Sequence, residues 1–176
     1  LNPIASDLDV MRPSILPNLV AALPRNADRG RSDLALFEVA PVYGSDRPDG
    51  QQTAAAGARL SNPPRHWSGA ARPADVFAVK ADAIAALEAA GAKVEQLQTT
   101  ADAPAWYHPG RSGVLRLGPK LALAHFGELH PRVLKAMDVE GPVLAFGLRG
   151  RLFASTDRGA TWTRIETASE ARIATM

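Results

Sequence analysis

Cysteine is absent from all 176 residues, which excludes disulfides, thiolate nucleophiles and cysteine-held metals. A reducing compartment fits that absence. No apolar run approaches the ~20 residues that span a bilayer, so no membrane partner is expected. Neither sign of charge dominates: twenty basic residues face eighteen acidic ones, a net charge of +2. The pI of about 9.3 reflects that small excess, and the cations are scattered along the chain rather than gathered as phosphate binding demands. Lysine is scarce, supplying four of the twenty cations, so the basic content records a bias towards arginine. The densest group, Arg25, Arg29 and Arg31, reads as the solvated end of a helix.

What is present suits a folded domain. Hydrophobic residues make up 46% and charged residues 22%, which favours neither disorder nor a fibrous class. The length allows one domain with a core and a small appendage. Residues 1–13 are turn-rich, because each proline pushes its predecessor towards extended geometry. From Ser14, a plausible cap, the apolar positions Ile15, Leu16, Leu19, Val20 and Leu23 follow helical spacing, with Pro17 tolerable in the first turn. Pro24 is expected to end or kink that helix.

Residues 33–43 are apolar on both faces, which predicts a central strand in a covered sheet. A turn at 44–52 returns the chain as an antiparallel strand at 53–60, followed by a long loop at 61–73. An alanine-rich helix at 74–90 stops at Gly91. Further strands are expected at 93–98, 112–117 and 121–128, the last two joined through Gly118-Pro119-Lys120. A short helix begins at His130-Pro131, and 143–148 is the closing strand. The order reads as an α+β fold with a mainly antiparallel sheet flanked by helices, followed by a β-hairpin near the C-terminus.

Certain blocks are more specific than this pattern. Asn2-Pro3-Ile4, Asp7-Leu8, Met11-Arg12-Pro13-Ser14 with Leu16-Pro17, Arg25-Asn26, Arg29-Gly30 and Leu36-Phe37-Glu38-Val39 occur in one order, followed by Tyr107-His108-Pro109-Gly110-Arg111-Ser112 and Phe126-Gly127-Glu128-Leu129-His130-Pro131. Together they resemble the bacterial phenylalanyl-tRNA synthetase beta subunit over roughly residues 1–148. The resemblance implies a class II aminoacyl-tRNA synthetase-like core without the catalytic chemistry. It further implies a cytoplasmic heterotetramer, with ATP and Mg carried by the alpha subunit and tRNA met only through the whole assembly. A chain that begins inside a family block reads as a piece of a longer subunit. Its implied role is to dock on the alpha subunit, and a surface left bare would favour self-association of the piece.

From residue 149 the resemblance ends, so the chain divides into 1–148 and a tail, 149–176. Ser155-Thr156-Asp157-Arg158-Gly159-Ala160-Thr161-Trp162 resembles a single Asp-box hairpin of sialidase-like propellers. One such hairpin does not close a propeller. Residues 167–176 read as a frayed end.

No catalytic, cofactor-binding or metal-binding residue is assigned. Class II catalysis needs a cation at the α-phosphate, and the resemblance puts Gly44 where that arginine belongs, with Asp46 near the acidic position. Arg149 and Arg151 read as surface cations. Arg12, His108 and Arg111 are candidate anion or tRNA contacts, although Pro109-Gly110 reads first as a turn. Glu128 and His130 alone do not define a metal site. His66-Trp67 and Trp106-Tyr107 read as packed rings before base-stacking ones. The stripe Leu19, Val20 and Leu23 reads as core first and as a subunit interface second. Two rivals remain: a free-standing ligase binding ATP through Arg12, Arg47 or Arg111, and a carbohydrate-binding propeller piece.

Overall fold

In the computed structural model the stripe Leu16, Leu19, Val20 and Leu23 lies buried on one face of α1 (Leu16–Ala27). The structure describes residues 10–31, 33–61, 67, 73–148, 151–154 and 163–166. Ile15 is the N-cap, not Ser14, whose hydroxyl accepts from the Leu16 amide at 3.2 Å. Pro24 does not end the helix. It costs one helical bond, about 3 kcal/mol, whereas each buried stripe residue contributes about 1.5–3 kcal/mol, so the helix continues to Ala27. Asn26 reinforces the last turn by donating its side-chain amide to the Ala22 carbonyl at 2.9 Å.

The main sheet has six antiparallel strands: β1 (Asp33–Tyr43), β2 (Gln51–Ser61), β3 (Leu97–Thr100), β4 (Tyr107–Leu117), β5 (Leu121–Leu129) and β6 (Leu144–Leu148). Their order is β1-β2-β6-β5-β4-β3. The expectation that 33–43 is central is thus corrected among the described residues, where β1 is an edge. Pro41 has no N–H to give a second ladder, and the Tyr43 N–H points away from β2, to the Arg12 carbonyl at 3.0 Å. The strand buried on both faces is instead β6, lodged between β2 and β5 with all five residues buried.

Helices cover the two faces at different places. α1 packs on β1 and β2, while α2 (Val76–Ala89) packs on β5 and β6 from the other side. Val79, Ala83 and Leu87 form the buried face of α2, and Asp75 caps it, accepting from the Phe77 and Ala78 amides at 2.9 and 3.0 Å. Gly91 follows with φ +82°, the left-handed stop that its position predicts. A six-residue helix, α3 (Pro131–Ala136), starts at His130, whose ring accepts from the Arg132 amide at 3.1 Å.

Two further expectations are corrected. The strand predicted at 93–98 is a 3-10 turn at Val94–Gln96 that leads into β3. Pro109-Gly110 is not a turn before a strand but a bulge inside β4: Tyr107 pairs with Leu129 and Ser112 with Gly127, so five steps on β4 face two on β5. Gly127 has φ +149°, and a Cβ there would lie 2.4 Å from that of Ser112, so the bulge requires glycine opposite it. A separate antiparallel pair, β7 (Arg151–Ala154) and β8 (Thr163–Glu166), forms the expected C-terminal hairpin. The Asp-box turn at 155–162, the N-terminal blocks at 2–8, most of the loop around His66, residues 149–150 and the tail at 167–176 lie outside the described residues.

Across the centre of the sheet, rings lie over glycines. Phe37, Gly57, Phe146, Phe126 and Gly113 are register neighbours on β1, β2, β6, β5 and β4. The Phe37 and Phe146 rings stack at 6.1 Å across Gly57. A Cβ on Gly57 would come within 2.4 Å of the Phe146 ring, and one on Gly113 within 2.9 Å of the Phe126 ring. Gly57→Ala therefore forces the Phe146 ring aside, with an expected loss of about 1–3 kcal/mol in urea unfolding. Leu23→Ala, which opens a cavity under α1, is expected to cost about 2–5 kcal/mol by the same measurement.

Candidate functional site

At the end of β1 the chain turns through a 3-10 segment, Pro48–Gly50, and the Gly44 N–H closes that turn on the Gly50 carbonyl at 2.9 Å. The position expected to hold a phosphate-binding arginine thus carries a side-chain-free residue whose backbone donor is already used. Arg47, immediately before that 3-10 segment, is exposed, and its amide donates to the Ser45 hydroxyl at 3.3 Å.

The arginines that lie on the sheet or against it are each tied to a carboxylate. Arg12 donates Nε to the Pro41 carbonyl at 3.1 Å and pairs with Glu38 at 2.8 Å. Arg59 grips Asp82 of α2 through two bonds, at 2.5 and 3.2 Å. Arg111 does the same to Glu128, at 2.5 and 2.8 Å. Arg116 is bonded to Thr100 at 3.0 Å and pairs with Asp102. Asp102 is held below the usual carboxylate range, first by the Thr100 hydroxyl and then by Arg116. Two-pronged contacts of this kind fix a guanidinium in place and neutralise it, so these cations are poorly placed to neutralise a phosphate.

The structure brings together only some of the candidate residues. Arg111 and His108 share the β4 bulge, where the His108 Nδ1 accepts from the Gly110 amide at 3.1 Å and the Ser112 hydroxyl donates to the His108 carbonyl at 2.6 Å. Glu128, on neighbouring β5, supplies the carboxylate partner that proximity in sequence did not reveal. Arg12 stands at β1, four strand spacings from β4, or about 19 Å. The three candidates therefore do not form one anion site.

Around the Arg111–Glu128 pair is a hollow of about 630 Å³, floored by α3 and the 138–142 loop, including Leu134, Lys135, Asp138 and Glu140. A second hollow of about 230 Å³, towards Asp75 and Val76, shares Arg111, Glu128 and Pro142 with it. The ion pair thus spans the space between them. Its charges are balanced, and the lining of the two hollows mixes one lysine with three further carboxylates, Asp75, Asp138 and Glu140, so no anion-selective field develops. Among the described residues, no group of three or more His, Asp or Glu side chains converges as a metal site would require, and no helix is long and apolar enough to cross a membrane.

Two expectations about apolar residues resolve in opposite ways. Leu19, Val20 and Leu23 are 7%, 1% and 0% exposed within this chain, packed on the sheet. They are core, and the interface reading of that stripe is corrected. Tyr107 is a core ring too, and its hydroxyl lies 2.8 Å from the Nδ1 of His125. Trp106 meets His125 edge-on at 5.8 Å. His125 faces Gly147, where a Cβ would lie 2.6 Å from the imidazole. This buried polar pair was not foreseen; the signal available was a histidine at an inward position of the apolar run 121–126.

Residues 1–149 match the model of the phenylalanyl tRNA synthetase beta chain CLM domain. The chain belongs to that family. It is 58% identical over 148 residues to the phenylalanine–tRNA ligase beta subunit of Rhodospirillum rubrum, covering 84% of this chain and 18% of that protein. The Mesorhizobium japonicum beta subunit is 55% identical over 150 residues, covering 82% and 19%. The chain therefore spans about a fifth of the length of these curated relatives. In architecture it is similar to a pyrrolysyl tRNA synthetase of Desulfitobacterium hafniense, with a TM-score of 0.57 at 20% identity, covering 78% of this chain and 46% of that one. That likeness concerns the fold.

Two measurements test the site's geometry. Arg111 holds the Glu128 carboxyl below its ordinary value, chiefly by hydrogen bonding. A depressed carboxylate stabilises the fold above its unfolded pKa and loses that contribution as pH falls through the folded one. The stability gap between the native chain and Arg111→Gln is therefore expected to be full at neutral pH and to shrink below about pH 4.5; a gap unchanged down to pH 3 would contradict the pairing. Tyr107→Phe removes the hydroxyl from buried His125, with an expected cost of about 1–3 kcal/mol in chemical unfolding.

Proposed function

We propose that residues 1–148 form a class II synthetase-like, non-catalytic core that docks on the alpha subunit of phenylalanyl-tRNA synthetase, with 149–176 as a separate tail. On this reading the whole enzyme joins Phe to its tRNA with ATP and Mg held by the alpha subunit, and this chain meets tRNA only through the assembly. The cytoplasm is its expected compartment.

The observation that carries the reading is the state of the cations. Gly44 stands where a class II enzyme needs an arginine, and Arg12, Arg59, Arg111 and Arg116 are each engaged by a carboxylate. ATP bound here would meet no uncommitted guanidinium on the sheet among the described residues. The residues present do not fit the nucleotide, and no chemical step is assigned to them. The free-standing ligase reading loses its support for the same reason, since Arg12 and Arg111 are two of the three cations it relied on.

The test mixes the tagged chain with a bacterial phenylalanyl-tRNA synthetase alpha subunit and follows co-purification, with aminoacylation and ATP-dependent melting measured on the chain alone. Retention of the alpha subunit, no aminoacyl-tRNA and an unchanged Tm with ATP are expected. A folded chain that retains nothing would refute docking, and charging activity or ATP stabilisation would refute the non-catalytic core.

A further inference from the structure

We draw no further inference here: the strongest candidate, the apolar shelf on the α2 side of the sheet, where Phe37 and Val39 of β1 lie exposed beside a groove of about 220 Å³ between β1 and α2, carries nothing because no feature of the structure shows what covers it.

Discussion

The packing of aromatic rings over strand glycines is the constraint on which the rest of the sheet depends. Phe146 on the doubly buried β6 lies over Gly57 on one side and beside Phe126 on the other, and Phe126 in turn lies over Gly113. A glycine with no Cβ is a weak strand residue on its own, yet here it leaves the space that a large ring fills. On the opposite face Gly147 does the same for His125. A one-residue slip would move each ring to the wrong side of the sheet, so these contacts hold the order of five strands and, through it, the placement of both helices.

That placement governs the chemistry at the surface. With α2 drawn over β5 and β6, Arg59 of β2 reaches Asp82 of α2, and the groove beside β1 stays open. With β4 bulged between Tyr107 and Ser112, Arg111 aligns with Glu128 and spans two hollows. The result is an antiparallel sheet whose cations serve internal ion pairs. Ion pairs of this kind hold the surface side chains in one arrangement.

Much of the fold was legible in the residues. The helical stripe from Ile15 to Leu23, the strand 33–43, the stop at Gly91, the Gly118 turn and the helix starting at His130 follow from period and turn chemistry, which are local. Of the two outcomes expected at Pro24, an end is overturned, because the cost of a proline is local whereas the burial that offsets it is not. The position of β1 at the edge of the described sheet was missed although Pro41 signals it, because an apolar strand at an edge reads like one buried on both faces. The role of Pro109-Gly110 as a bulge required knowledge of the partner strand and of Gly127 opposite it.

The sequence by itself determined the family and the α+β class, because each rests on residue identity and on spacing along the chain. The pairing of Arg111 with Glu128, the burial of Leu19, Val20 and Leu23, the Tyr107–His125 contact and the exposure of Phe37 and Val39 were decided only by tertiary structure. Each depends on which strands become neighbours and where the helices come to rest. Those choices are made by packing among residues far apart in the chain, which no local period encodes.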